Sequence, residues 1–587
     1  MQDASWLSSL RNPGGRNRKL LQSALLITPP IVFILAGWRH RWIVDDGYIF
    51  LRVVDMITGG HGPVFNIGER VEAFSSVIWV FLLALADLVV PLRLEWIAVG
   101  TGIVLSAGGL ALAIAGAARL ARIYQPRALL LPFGILLPLA VYVAWRYASS
   151  GMETGLVLGW LGACLFVLAR WADSGQRLSP GAAVLIGLGW LIRPELALFS
   201  ALFVLTVVAM QWSNDSWRQR LTLLVTAGAL PVSWQVFRMG YYGSLVPNPA
   251  LTKDASSTHW GDGWLYLLDF ANTYWLWLAL LIVIMGGHLP MILGLWRYQA
   301  RRALAVVGVF FVAAVLHTTY ITAVGGDWLH GRLLLPAFYA LALPAAVIPA
   351  TRMHLCAVFL PPWVVFSAFA LRPEPPNILQ RFTQPTHNHV LIESRGWGEH
   401  SARQRRLGNE GFHMDMVLGL RFQRLEAAAN TPHARLPGIA ARALGASSYA
   451  LGPDWHVIDI QGLAHPMIAR FEVTPSLIPR PRRSGHKKPL PGVWLAAMVT
   501  LPDARVEPEH FPGMANPLIP DTSGERFQEQ ITVVREVLQC PALRELHEAV
   551  TAPLDARRFL SNFTGALART RLTIPPDPHE AREKFCG

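Results

Sequence analysis

The sequence predicts a polytopic α-helical membrane protein of about eleven spans, followed by a soluble α/β domain. Three observations carry this. Only 15% of the 587 residues are charged, against roughly a quarter in a soluble protein, and mean hydropathy is +0.36. Apolar stretches of about twenty residues, the length that crosses a bilayer, recur between Leu20 and Leu371. Beyond Leu371 the composition changes: Pro373, Pro375 and Pro376 mark an exit, and no long apolar run follows. A purely soluble enzyme is excluded.

The apolar segments lie at 20–38, 74–90, 96–119, 128–146, 155–171, 181–192, 195–211, 221–238, 274–296, 303–324, 333–349 and 353–371. Arg11, Arg16, Arg18 and Lys19 precede the first and hold the N-terminus in the cytoplasm; no small-residue cleavage site follows, so this segment reads as a retained helix. If every segment crossed, Arg119, Arg122 and Arg127 would fall outside, against the positive-inside tendency. The segment 74–90 is the shortest of the early ones and carries Ser75, Ser76 and Asp87 beside Glu69, Arg70 and Glu72. It is therefore expected to lie on the outer leaflet, as a second external helix after one at 48–57.

Removing that crossing makes every basic loop cytoplasmic. It also places 39–95, 147–154, 192–195, 239–273, 325–332 and everything after 371 outside the membrane. The chain divides into a membrane domain, 1–371, and a soluble domain, 372–587. Within the latter, Trp455 to Ile460 alternate like a strand, while Ile439 to Leu444 and Phe527 to Leu538 read as helices.

A net charge of +13 suggests nucleic acid at first sight. The Lys and Arg residues of the first 371 positions fall mostly between apolar segments, however, as membrane topology requires, and no nucleic-acid partner is expected. Four cysteines match no metal-ligand spacing and form no CxxC. Cys540 and Cys586 share the exported part and are expected to form a disulfide, with Cys164 and Cys356 reduced.

Candidate chemistry gathers in the external segments. Asp45 and Asp46 stand at a membrane exit, where paired carboxylates are costly unless they face water, a cation or a substrate; as a cap for the following helix they would also be well placed. A Gly-rich turn with His61 and Asn66 follows, then Glu69 and Glu72. Glu153, Glu195 and Asp327 add carboxylates and His330 a ring, while Arg193, Lys253 and Arg332 would suit a phosphate. Asn248 lies in the same outer set.

Asp45-Asp46-Gly47-Tyr48-Ile49, Gly60-His61-Gly62-Pro63 through Glu72, Ser150-Gly151-Met152-Glu153, Arg193-Pro194-Glu195, Pro247-Asn248 with Lys253, and Gly326-Asp327 with Gly331-Arg332 resemble the GT-C glycosyltransferases that use polyprenyl-phosphate sugars. Pro91-Leu92-Arg93-Leu94-Glu95, Val457-Ile458-Asp459 with Gly462-Leu463-Ala464, and Gly485-His486-Lys487-Lys488 with Pro491 are similar, more narrowly, to mycobacterial-type terminal β-(1→2) arabinofuranosyltransferases.

The resemblance implies a decaprenyl-phosphoryl arabinofuranose donor and, as acceptor, the non-reducing ends of cell-wall arabinan, in arabinogalactan or lipoarabinomannan. Glycosyl transfer needs a carboxylate near the anomeric carbon, and Asp45, Asp46 and Glu153 are the expected catalytic set, with Asp45 or Asp46 as that carboxylate. Arg193, Glu195, Lys253, Asp327, His330 and Arg332 would hold the donor phosphate and sugar; His61, Asn66, Glu69, Glu72 and Asn248 would position acceptor or loop. The Asp pair with Glu153 could hold Mg²⁺ or Ca²⁺. Two rivals stand beside this reading: a GT-C enzyme for another sugar such as mannose, and a transporter of lipid-linked saccharide, which should instead carry midplane charges and broken helices in repeated halves.

Overall fold

Among the described residues, six helices are long and apolar enough to cross a membrane: Leu20–Arg39, Leu94–Tyr124, Thr154–Ser174, Pro194–Gln211, Leu276–Arg297 and Arg301–Val324. The computed structural model that shows them describes residues 15–253, 257–327, 329–352, 354–369, 438–441, 444–473, 488, 491–499 and 524–587. Val77–Val89, Pro180–Ile192, Arg332–Ala345 and His354–Ser367 are shorter apolar helical stretches. Val77–Val89 has 13 residues, a rise of about 20 Å against a hydrocarbon core of about 30 Å. Trp217–Tyr242 is long, at 26 residues, but its apolar surface is interrupted by Arg218, Arg220, Gln235 and Arg238.

The Leu94–Tyr124 and Thr154–Ser174 helices pack backbone to backbone. Gly102, Gly109 and Gly116 recur at every seventh position of the first; Gly102 faces Gly155, Gly109 faces Gly159 and Gly162, and Gly116 faces Leu165 and Phe166. A Cβ at Gly109 would run into the Leu158 carbonyl, and one at Gly155 or Gly162 into the carbonyls of Gly102 or Gly109. Lipid supplies no hydrophobic drive for helices to pair, so close van der Waals contact between small residues has to supply the attraction. This ridge fixes the start of the second helix, where Glu153 is the residue before the first turn.

Segments 128–146 and 333–349, expected as continuous spans, are broken. Leu130–Leu131 pairs antiparallel with Ile348–Pro349, and the helices Leu136–Ala140 and Tyr142–Ala148 follow the first strand. In the second segment the Leu335–Ala342 helix runs into a 3-10 turn at Leu343–Ala345. Pro132, Pro138 and Pro344 remove backbone donors here. The two segments satisfy each other, Ile135 N–H donating to Ala346 O at 3.1 Å and Ala350 N–H to Leu129 O at 2.8 Å, which is how irregular backbone survives inside a membrane protein.

After the membrane helices, strand Gly438–Ala441 pairs in parallel with strand His456–Asp459, and the helix Leu444–Leu451 connects them. The second strand lies inside the one expected at 455–460. The helix expected over 439–444 is overturned: Ile439–Ala441 are strand, because pairing with His456–Asp459 outweighs local preference. The helix expected at 527–538 runs Glu525–Gln539. Leu444, Leu451, Trp455, Val457 and Leu463 pack into the main core, whereas Ile468, Phe471, Trp494, Val534 and Leu543 build a second one. Cys540 and Cys586 are joined, their Cα atoms 5.4 Å apart; Cys164 and Cys356 are buried and free.

The glycine ridge gives the first prediction. Gly109→Val should lower stability by about 3 kcal/mol or more, by overpacking, whereas Gly108→Ala on the same helix, where an added methyl meets nothing within 4 Å, should leave it unchanged or slightly raised. Melting of the detergent-solubilised variants distinguishes them.

Candidate active site

Asp45 and Asp46 open the helix Asp45–Thr58, but neither holds the cap position: that residue is Val44, which makes no side-chain capping bond. Both acids stand in the first turn, where unpaired N–H groups favour negative charge. Two neighbours fix this turn. Val44 N–H donates to Ser150 O at 3.0 Å, and a Cβ on Gly47 would come within 2.7 Å of the same oxygen. On the other side Gly445 lies so close to the Asp45 carbonyl that a Cβ there would collide with it, and its N–H donates to Asp45 Oδ2 at 3.1 Å.

Arg52 secures that second neighbour. Its side chain is buried and donates to four carbonyls: Phe65 at 2.9 Å, Ser448 at 2.5 Å, Gly452 at 2.8 Å and Trp455 at 2.7 Å. Burial lowers the guanidinium to about 9, with Asp55 pulling the other way.

The charged residues from distant turns converge beside Asp46. Arg332 lies 2.5 Å from Asp327, donates to Met152 Sδ at 3.1 Å, and comes within 3.8 Å of Asp46. Arg193 is clamped between Glu153 and Glu195, close enough to act on Arg332 and Asp327. Burial alone would raise the Asp327 carboxyl; Arg332, and then Lys253, outweigh it and hold the group below the usual carboxylate range. Asp46 differs from the other acids in access. Its side chain is 18% exposed, against 2% for Asp327 and 1% for Glu153.

The remaining expected residues stand elsewhere. His330 Nδ1 is 2.5 Å from Asp269, packed between Phe270 and Tyr274. Glu72 takes a forked contact from Arg238, at 2.5 and 3.0 Å, and a third bond from Trp234 Nε1 at 3.1 Å. Asn66 exchanges two 3.0 Å bonds with the Val457 backbone and also donates to Glu69 at 3.3 Å. Asn248 donates to the carbonyls of Gly462, Leu463 and His465. These groups hold loops in place. His61 is exposed on its turn.

Among the described residues, no three His, Cys, Asp or Glu side chains are gathered to hold a metal ion. Asp45 turns to Gly445, Asp46 to Arg332 and Glu153 to Arg193, so this arrangement does not fit a shared cation. Sequence reasoning missed Arg52, Arg238 and Asp269. The first two are visible as single arginines within apolar helical stretches.

Residues 420–584 match the AftB family C-terminal domain. Two relatives carry the name terminal β-(1→2)-arabinofuranosyltransferase. The Mycobacterium tuberculosis protein is 31% identical, over 93% of this chain and 94% of its own length; the Corynebacterium glutamicum protein is 31% identical, over 97% and 89%. The chain belongs to the terminal β-(1→2)-arabinofuranosyltransferase family. No solved structure matches it.

In this member of the arabinofuranosyltransferase family, the turn that Asn248 grips carries two oppositely perturbed groups. Asp459 accepts from the N–H groups of Gln461 and Ala464 at 2.8 and 2.9 Å, yet burial pushes it up to about 6. Burial also lowers His465, to about 4. Against unfolded values of about 4 and 6.5, folded Asp459 takes its proton first, so its contribution to stability grows as pH falls from about 6 to 4. Unfolded His465 takes its proton first, so stability is lost as pH falls from about 6.5 to 4. The two oppose. Asp459→Asn should therefore make melting in that window more acid-sensitive and His465→Asn less so.

Arg52→Lys replaces a planar fork by a point charge that cannot serve four carbonyls. It should cost about 3 kcal/mol or more. Limited proteolysis should then cut the 444–455 segment in conditions where the unaltered protein resists.

Proposed function

We propose that this chain transfers arabinofuranose from a polyprenyl-phosphate donor, decaprenyl-phosphoryl arabinose, to the non-reducing ends of cell-wall arabinan, making terminal β-(1→2) linkages at the periplasmic face of the plasma membrane. Membership of the family supports the sugar and the linkage. The observation that carries the mechanism is the partly exposed Asp46, 3.8 Å from Arg332 within a ring of buried ion pairs. Sugar transfer builds positive charge on the anomeric carbon and negative charge on the departing phosphate, so it needs a carboxylate free to approach the sugar and a cation near the leaving oxygen.

Asp46 meets the first need, because Arg332 lies too far to consume its oxygens in tight bonds. Asp45 is turned to Gly445 and serves to seat the helix. Lys253 meets the second need better than the arginines. Arg193 and Arg332 already face carboxylates, and removing either would leave buried acids unpaired.

A β-linked donor and a β-linked product mean net retention. With Asp46 as nucleophile, its oxygen displaces the phosphate to form an arabinosyl ester, and the acceptor hydroxyl then displaces the Asp46 carboxylate, its proton passing to the phosphate released in the first displacement. With attack on the leaving-group face, the departing phosphate takes the acceptor proton while Asp46 balances the cationic sugar. A 2-fluoro donor separates the two routes, since only the first leaves a sugar covalently bound to Asp46 in the mass spectrum.

Purified protein supplied with decaprenyl-phosphoryl arabinose and a synthetic arabinan, followed by linkage analysis, tests the assignment; transfer of mannose and not arabinose from a matched donor panel would refute it. Asp46→Asn should abolish transfer while donor binding persists, and Asp45→Asn should retain part of it. Lys253→Met should weaken donor affinity by about 1.5 to 3 kcal/mol, the worth of a hydrogen bond to a charged group.

A further inference from the structure

The helix Ala556–Arg571, deep in the C-terminal segment, presents an outward stripe that its own packing leaves bare. Leu560 is 62% exposed and Leu567 47%, two turns apart on one face with Thr564 between them, while Arg557 and Arg571 stand exposed at its two ends. Leu554, just before the helix, is 39% exposed. The opposite face is fully engaged. Phe559 fills the space over Gly240, Asn562 donates to Gly240 O at 3.1 Å, Arg569 to Gly243 O at 3.1 Å, and Thr570 Oγ1 accepts from Leu245 N–H at 2.8 Å.

Those anchors fix the height of the helix. Gly240 and Gly243 close the Trp217–Tyr242 helix, whose exposed apolar residues Leu224, Val225, Leu230, Val232 and Val236 form a surface suited to lipid. The surface ends in a stack of rings, with Trp234 and Phe237 4.9 Å apart, Phe237 and Tyr241 4.8 Å, and Tyr241 and Tyr242 4.8 Å. Aromatic residues collect at the level of the headgroups. A helix bonded directly to the far end of that stack lies at the same level. Its apolar edge continues from Phe559, on Gly240, through Phe563 to Leu567 and Leu560.

We infer that the Ala556–Arg571 helix rests in the headgroup layer, its leucines reaching the acyl boundary and Arg557 and Arg571 contacting lipid phosphates, so that the C-terminal segment is held to the membrane at a second point besides Arg52. The occupant of the bare stripe is lipid. Three features argue for this: continuity with the lipid-facing surface of Trp217–Tyr242, the pairing of exposed leucines with flanking arginines that defines an interfacial helix, and the aromatic stack that sets the depth. The inference does not depend on which sugar is transferred.

Nitroxide labels on Leu560→Cys, Thr564→Cys and Leu567→Cys in the full chain, reconstituted in nanodiscs with anionic phospholipid and kept unreduced, test it. The buried Cys164 and Cys356 and the bonded Cys540 and Cys586 leave the new thiols as the labelling sites. Relaxation by oxygen should exceed relaxation by an aqueous nickel chelate several-fold at 560 and 567, and the ratio should reverse at a control label on the exposed Glu529. Labels at 560 and 567 that behave like the control would place the helix in water and overturn the proposal. Labels shielded from both agents would mean another chain or a saccharide covers the stripe, and would overturn it equally. Thr564→Cys carries the test if a leucine variant fails to fold.

Discussion

The architecture turns on one buried guanidinium. A desolvated charge is tolerated only when its donors are satisfied, and Arg52 is buried. Four carbonyls satisfy its donors, three belonging to residues 448–455. The bonds are directional, so they determine where the Leu444–Leu451 helix sits, and through Gly445 they determine where Asp45 and its neighbour point. Packing alone would let the two helices slide; the fork of Arg52 does not.

Around that joint, the site balances its charges closely. Asp46, Glu153, Glu195 and Asp327 face Arg193, Arg332 and the more distant Lys253, so carboxylates outnumber cations. Buried Asp327 can stay ionised here because the Arg332 guanidinium lies against it. The phosphate of the proposed donor would meet neighbours in this cluster whose positive charge is already committed, which is why Lys253, with no carboxylate in bonding contact among the described residues, is proposed to bind it rather than the two arginines.

Much of this was legible in the sequence, for definable reasons. Long apolar runs and the asymmetry of basic loops reveal a helical membrane protein because lipid imposes length and charge rules on every span. The acids and bases of the site were visible because polar residues beside apolar runs are conspicuous. What escaped was pairwise. Nothing in the run 128–146 announces that Leu130 pairs with Pro349, and nothing near Glu72 indicates Arg238. His330 was grouped with Arg332 by sequence distance alone, whereas the ring turns to Asp269. The Ile439–Leu444 segment failed for the same reason, its strand being stabilised by a partner that local preference cannot see.

The bond between Asp45 and Gly445 spans 400 positions, and that separation bears on how the protein comes into being. A chain made from its N-terminus carries the aspartate pair early in synthesis, long before the segment that seats it has been translated. Until residues 444–455 arrive, Arg52 has only Phe65 to bond among its eventual partners, and the first turn of the helix has a wall on one side only. Competence is thereby deferred to the end of biogenesis, so a truncated product inserted in the membrane would carry the charged residues of the site without the means to align them.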